Sequence, residues 1–375
     1  MAKPTVTIRT SPDDFVVDEI AAYEPVGRGE HLYIHFRKRG LTTLDAVQIL
    51  AERLGVPPRE AGTAGLKDRH AVTTQQASFP FPIKREIPSA DALSSPDGTL
   101  SVLSVARHDN KLKTGHLRGN RFRLVLREIA EGDRPVLLET FARVAREGLP
   151  NWFGEQRFGR SGDNVEVALA WMRGTARPPR DPKIKRLQYS AVQSALFHRV
   201  LERRVAERTW QRALPGDVLQ KAESGGLFTC HDPDVDQPRL DAREVVITGP
   251  MFGEKMRAAE GEALAIELAA LAESGIEPAL FATWSRLGEG TRRPLALFPS
   301  ELVARGPQED EDPCSMVLEF VLPKGAYATS VLAEASTFRD ATAVARGPAP
   351  KPDNAASPVA PYEPATTSQA EEENG

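Results

Sequence analysis

The feature of this sequence that most restricts its fold is a late strand with no neighbour. SMVLEFVLP, at residues 315–323, has the alternating apolar and β-branched character of a half-buried strand, yet no run of similar strength lies near it. A strand must pair its backbone N–H and C=O groups, so this one has to reach a sheet elsewhere in the chain. Partners of matching character stand near the other end: DDFVVDEI at 13–20, HLYIHFRK at 31–38 with Leu32, Ile34 and Phe36 on one side, TLSVLSVA at 99–106, and NRFRLVLRE at 120–128. Among them TTLDAVQILAERLG at 42–55 reads as an amphipathic helix. Thr42 or Thr43 can cap it, Leu44, Val47, Leu50 and Leu54 form its stripe, and Gly55 can end it. The middle differs in texture: QYSAVQSALFHRVLERRVAER at 188–208 and EGEALAIELAALAESG at 260–275 read as helices between Gly- and Asp-rich loops. Strands and helices do not alternate regularly, which excludes a doubly wound parallel sheet and predicts an α+β protein with a second domain inserted in the first.

A chain of 375 residues, 41% hydrophobic and 27% charged, has the composition of a soluble globular protein with room for two or more domains. Cys230 and Cys314 lie far apart without CxxC spacing, so neither a disulfide framework nor a zinc site is expected. The start MAKPTVTIRTSPDD has no apolar h-region and no run of 18 or more apolar residues occurs, so the expectation is a cytoplasmic protein without membrane contact. Beyond residue 340 the chain is rich in Pro, Ala and acid and poor in large apolar groups, which predicts a disordered tail over 341–375. Net charge is −4, but the charges are segregated. Seven Lys/Arg fall between Arg107 and Arg127 against Asp109 alone, and six more between Arg173 and Arg186 against Asp181 alone, while acids collect at 309–312 and 371–373. Such clusters either form a basic face for a nucleic acid or are simply solvated surface.

The segment AGTAGLKDRHAVTTQQASFP, at 61–80, carries the strongest chemical signal. Gly62, Ala64 and Gly65 allow close approach of a partner to the backbone, and Asp68 stands among Lys67, Arg69 and His70. A carboxylate flanked by cations is expected to stay ionised at neutral pH, which suits a nucleophile or general base; a solvated surface turn explains the same four residues.

AGLKDRHAVTTQ resembles the active-site motif of the TruD family of tRNA pseudouridine synthases, and further blocks agree in order: DDFVVDE, EHLYIHFRKRGLTTLDA, KLKTGHLRGNRFRLVLRE, PNWFGEQRFGRSGDN, SAVQSALFHRVL and LPKGAYATSVLAE. Only the tail and parts of 216–297 lie outside the match. The resemblance implies the pseudouridine-synthase mixed, largely antiparallel sheet with flanking helices, its catalytic domain in two parts, 1–147 and 303–340, around an inserted α+β domain at 148–302. It implies isomerisation of uridine 13 of tRNA to pseudouridine, with Asp68 as the nucleophilic aspartate. The family's GNxF motif falls on Gly119, Asn120 and Phe122, the asparagine contacting the carboxylate and the ring stacking on the target base. Arg9 takes a position that is basic in the relatives and is expected to pair with Asp68, with Lys67 as further support. A monomer is expected.

The chemistry agrees with these residue types. Breaking the N-glycosidic bond, turning the uracil and rejoining it through C5 calls for no redox carrier, metal or other cofactor. A carboxylate can attack the ribose anomeric carbon or C6 of uracil, or abstract a sugar proton; the residues do not choose among these. The uridine must be flipped out of the RNA, and stacking on Phe122 would offset about 1–3 kcal/mol of that cost; a core position in a strand is the rival reading of Phe122. Asn120 can orient Asp68 or form a turn. Lys111, Lys113, Arg118 and Arg121 surround GNRF and are candidates for phosphate contact. Gln156, Arg157 and Phe158 can grip RNA or brace a bend. Two other functions fit the residues less completely: a glycoside hydrolase pairing Asp68 with Glu19, and a non-catalytic RNA-binding or chaperone protein.

Overall fold

A computed structural model describes residues 3–159 and 162–344. The chain divides into two compact units, one running to Asn151 and resuming at Leu297, the other spanning Trp152–Ala296.

In the first unit the main strands are β1 (Thr5–Ile8), β2 (Phe15–Ala21), β3 (His31–Arg39), β4 (Gly62–Thr63), β5 (Val72–Pro80), β6 (Leu100–His108) and β7 (Leu117–Leu126), followed by Ser300–Arg305, Met316–Pro323 and Thr337–Asp340. Eight of them form one sheet in the order Ser300–Arg305, Met316–Pro323, β7, β2, β5, β3, β6, with β4 paired to β5 off this path. Within it only β2 and β5 run parallel. The late strand lies antiparallel to β7, setting Phe320 opposite Phe122, while β2 sets Val17 opposite Phe122 from the other side. Cross-strand neighbours share a face. Helices Asp133–Glu147 and Ala328–Ala335 bury Leu137, Phe141, Val331 and Leu332 against Val17, Phe122, Leu318 and Phe320. A separate two-stranded parallel pair joins β1 to Thr337–Asp340.

Helix α1 (Thr43–Leu54) begins at Thr42, whose side chain accepts the Asp45 N–H in a capping box, and ends at Gly55 with φ of 63°. It buries Ala46, Val47, Leu50, Ala51 and Leu54 against Ile34 and Phe36 of β3 and Ala77 and Phe79 of β5. Leu44 departs from the stripe expected of it and is 66% exposed. It lies in the first turn, about a quarter turn from the centre of the apolar face at 100° per residue. Strands β1, β5, Ser300–Arg305 and Thr337–Asp340 have no counterpart in the sequence reading.

The second unit carries a four-stranded antiparallel sheet, ordered Leu227–Thr229, Val218–Lys221, Val245–Met251, Thr291–Pro294. Helix Pro182–Ala206, started by Asp181 with Pro182 in its first turn, runs through this unit and buries Tyr189, Phe197 and Leu201. The α+β class with a mostly antiparallel sheet and flanking helices agrees with the sequence expectation. The described chain continues through Ala341–Val344, a short helix, and the remainder of the expected tail lies outside the described residues.

Candidate active site

Asp68 occupies the loop between β4 and β5, and that loop is fastened from beneath. The Lys67 N–H donates to Thr43 Oγ1 at 2.8 Å, and Thr43 Oγ1 donates in turn to Gln75 Oε1 at 3.0 Å. The Lys67 ammonium turns inward to Glu19 Oε2 at 2.5 Å, with side chains only 7% and 2% exposed. Glu19 Oε1 also accepts the Gln76 N–H at 3.3 Å. Lys38, fully buried, donates from Nζ to the carbonyl oxygens of Asp68 and Leu41, both at 2.7 Å. Burial pulls Lys38 down to about 8, against the opposing pull of the Asp68 charge. On the other flank Gly115 N–H donates to Ala64 O at 2.8 Å and Leu112 N–H to Ser78 Oγ at 2.9 Å. Gly62 permits that closure, since a Cβ there would fall 2.1 Å from the Leu112 carbonyl oxygen.

With its backbone held, Asp68 sends its carboxylate outward, 57% exposed. Arg9 Nη2 donates to Asp68 Oδ2 at 2.7 Å and Arg9 Nη1 to Asp340 Oδ2 at 2.6 Å. Arg9 follows β1 with φ of 58°, a left-handed conformation that turns its side chain back over the Phe15 ring at 4.1 Å. Phe15 meets Phe122 edge-on at 6.4 Å, and Phe122 stacks on Phe320 at 5.2 Å. One line of contacts thus joins the Asp68 carboxylate to the GNRF strand. Oδ1 of Asp68 accepts no hydrogen bond from the described residues. A carboxylate so placed, with one oxygen on a guanidinium and the other open, can attack an electrophilic carbon or take a proton.

The structure pairs Arg9 with Asp68 and turns the Lys67 side chain away from it to Glu19. Phe122 is 7% exposed, with Phe15 edge-on to its ring and Phe320 stacked against it. The expected contact between Asn120 and Asp68 is not made among the described residues. Asn120 stands opposite Glu19 across the β2–β7 register, and Asp68 is drawn instead to Arg9. Asn120 Oδ1 is buried without a protein donor. Of the basic cluster, Arg107 is buried and donates to the carbonyls of Gly29, Phe81, Pro82, Ile83 and Arg85, Arg121 pairs with Glu301 at 2.6 Å, and Arg127 with Asp14 at 2.7 Å. Lys111, Lys113 and Arg118 make no ion pair among the described residues. Arg157 and Phe158 belong to the other unit. Arg157 donates to Ser194 Oγ at 3.2 Å and covers the Phe153 ring, and Phe158 packs edge-on to His198, so both brace the turn Glu155–Phe158. The side chain of Gln156 lies outside the described residues.

Sequence reasoning missed Lys38 and Thr43, and gave Glu19 a different role. Lys38 shares the parity of Leu32, Ile34 and Phe36, so a cation in the apolar register of a strand was the available signal. Glu19 is engaged by Lys67 and the Gln76 N–H within the anchor of the loop, so its carboxylate is not presented beside Asp68 as a glycoside hydrolase would require.

The fold has a solved counterpart. A structure described as a candidate tRNA pseudouridine synthase D from Methanosarcina mazei superposes with a TM-score of 0.70 at 25% identity, covering 89% of this chain and 94% of that one. Among curated proteins, tRNA pseudouridine synthase D of Anaeromyxobacter sp. strain Fw109-5 is 49% identical over 88% of this chain and 91% of its own length. That of Thermus thermophilus is 37% identical over 92% of each. The model of the tRNA pseudouridine synthase D family matches residues 4–177 and 176–335. The chain belongs to the TruD family of tRNA pseudouridine synthases.

Proposed function

We propose that this protein isomerises uridine 13 of tRNA to pseudouridine with Asp68 as the nucleophile. The observation that carries the reading is the fastened loop: Lys67, Lys38 and Thr43 fix its backbone while Arg9 holds one carboxylate oxygen and leaves the other open. Fixing a nucleophile before the substrate arrives removes reorganisation from the barrier. Arg9 aims the carboxylate, and on departure of the uracil it can redistribute its hydrogen bonds between Asp68 and Asp340. Asn120 Oδ1, a buried acceptor without a protein donor, suits the N3–H of a uracil, because an unpaired buried acceptor costs about 1–3 kcal/mol that a ligand donor would recover. Phe122 forms the wall against which the base is held, backed by Phe320 and Phe15. Lys111, Lys113 and Arg118 supply phosphate contacts beside the loop.

Release of tritium from C5-labelled uridine in a tRNA transcript, followed by mapping of the modified position, tests this. Purified protein alone is expected to release tritium from one site. Asp68→Asn and Asp68→Ala are expected to abolish release while binding tRNA about as tightly as the wild type. Turnover in either variant would reject Asp68 as nucleophile, and modification elsewhere in the tRNA would reject position 13.

A further inference from the structure

The loop that carries Asp68 bears a second outward side chain. Leu66 is 70% exposed, the highest value among the large hydrophobic residues described, and Leu44 at 66% is the next. Single exposed leucines are common and mean little. These two are not scattered. Leu44 follows Thr43, whose hydroxyl holds the Lys67 N–H, so both flank the same short stretch of backbone. Residues 66 to 68 alternate: Leu66 out, Lys67 in to Glu19, Asp68 out. Because Lys67 N–H, Lys67 Nζ and the Asp68 carbonyl are all bonded, Leu66 cannot fold inward without breaking the anchor. The surroundings indicate what it meets. The loop that closes on Ala64 brings Lys111 and Lys113, neither with an ion-pair partner among the described residues, and Arg69 is exposed beside Asp68. An apolar tip on a rigid backbone, with Arg69 on its own loop and Lys111 and Lys113 on the loop bonded to Ala64, fits a polyanion that presents apolar faces, which is a stacked RNA strand.

We infer that Leu66 is a wedge that enters the RNA base stack at the place vacated by the flipped uridine and holds it open while Asp68 reacts. The inference rests on the proposed pseudouridine synthase reading and adds a residue to it. A flipped base leaves a gap that re-stacking would close; an apolar side chain in that gap replaces the lost contacts and keeps the extruded state populated.

The test uses the full chain and a tRNA transcript with 2-aminopurine next to the modified uridine, read by fluorescence on binding and by pseudouridine formation in a single turnover. Leu66→Ala is expected to form pseudouridine roughly tenfold or more slowly and to lose most of the fluorescence rise, in keeping with the loss of one buried leucine contact. The slope of binding against salt should stay unchanged, since no phosphate contact is removed. Leu66→Met, which keeps reach and apolarity, should restore both signals. Asp68→Asn should keep the fluorescence rise while forming no product. A Leu66→Ala variant with wild-type rate and fluorescence overturns the wedge and leaves the enzyme reading standing. Self-association of the wild type that Leu66→Ala abolishes in sedimentation would assign the patch to a second copy and overturn it equally. Absence of pseudouridine with the wild type would reject the underlying reading itself.

Discussion

Removing the ammonium of Lys67 should cost substantial stability in the loop that carries Asp68. The pair with Glu19 is 2.5 Å long, its side chains are 7% and 2% exposed, and the Glu19 carboxylate is fixed by a further backbone N–H from Gln76. In Lys67→Met that carboxylate would remain buried with its counter-charge gone, a situation that costs about 3–5 kcal/mol. For a unit of this size each kcal/mol moves the melting temperature by roughly 2–4 °C, which gives a drop of roughly 6–20 °C. The second variant decides the cause. Lys67→Met combined with Glu19→Gln removes both charges and leaves an amide oxygen for the Gln76 N–H, so most of the loss should return. Thermal and denaturant unfolding of both single variants and the double one give the coupling energy directly. A Lys67→Met variant that loses less than about 1 kcal/mol, or a double variant whose loss is the sum of the singles, would refute the claim that this buried pair anchors the loop. Single-turnover rates on tRNA should follow the same order, because a released loop no longer holds Asp68.

Four further outcomes are expected. Arg9→Gln should slow turnover by about tenfold to a hundredfold with little change in tRNA affinity, since it strips the cation from Asp68 and Asp340; unchanged kcat would show Arg9 to be structural. Phe122→Ala should cost about 3–5 kcal/mol because the ring is stacked in the core, whereas Phe122→Leu should stay folded and still turn over slowly; wild-type kcat in the leucine variant would remove the ring from the reaction. Lys111→Ala, Lys113→Ala and Arg118→Ala should each lower the slope of log affinity against log salt by roughly 0.7–0.9, and an unchanged slope would remove that residue from the phosphate contacts. His198 is pulled down to about 4, first by burial and then by Arg293, so between about pH 6.5 and 4 the unfolded chain takes up a proton that the folded chain refuses. Its contribution is complete above pH 6.5 and is lost as the pH falls towards 4, by roughly 1–3 kcal/mol after allowance for partial exposure. His198→Gln, which keeps an acceptor for the Phe153 N–H, should flatten that limb of the stability curve, and an unaltered limb would place the titration elsewhere.

The strands that can be read from the sequence are those with uniform parity. Leu32, Ile34 and Phe36 alternate cleanly, and so does the run around Phe320, because each faces one apolar core. Strand β5 is harder to see: its central position places Gln75 in the interior, where it takes the Thr43 hydroxyl, so its pattern reads as polar. Asp68 stands out through its local motif, and so does Lys67 beside it. Lys38 and Glu19 cannot be seen in the same way, since their importance comes from contacts between residues 30 and 48 positions apart along the chain. The cluster from Arg107 to Arg127 illustrates the reverse error. Charge counted along the sequence overstates the basic surface, because Arg107, Arg121 and Arg127 are consumed by carbonyls and carboxylates that only the fold brings near. Grouping Leu44 with Val47, Leu50 and Leu54 overlooks that, at 100° per residue, it lies about a quarter turn from the centre of the face those residues bury, in the exposed first turn after the Thr42 cap.

The strand Met316–Pro323 pairs with β7 across roughly 200 intervening positions, a closure whose entropy must be met before any contact rewards it. During synthesis the outer margin of β7 therefore emerges from the ribosome long before its partner does, and presents a row of open amides and carbonyls beside apolar side chains. Premature termination after the first 147 residues would leave a fragment prone to aggregate rather than a working half-enzyme.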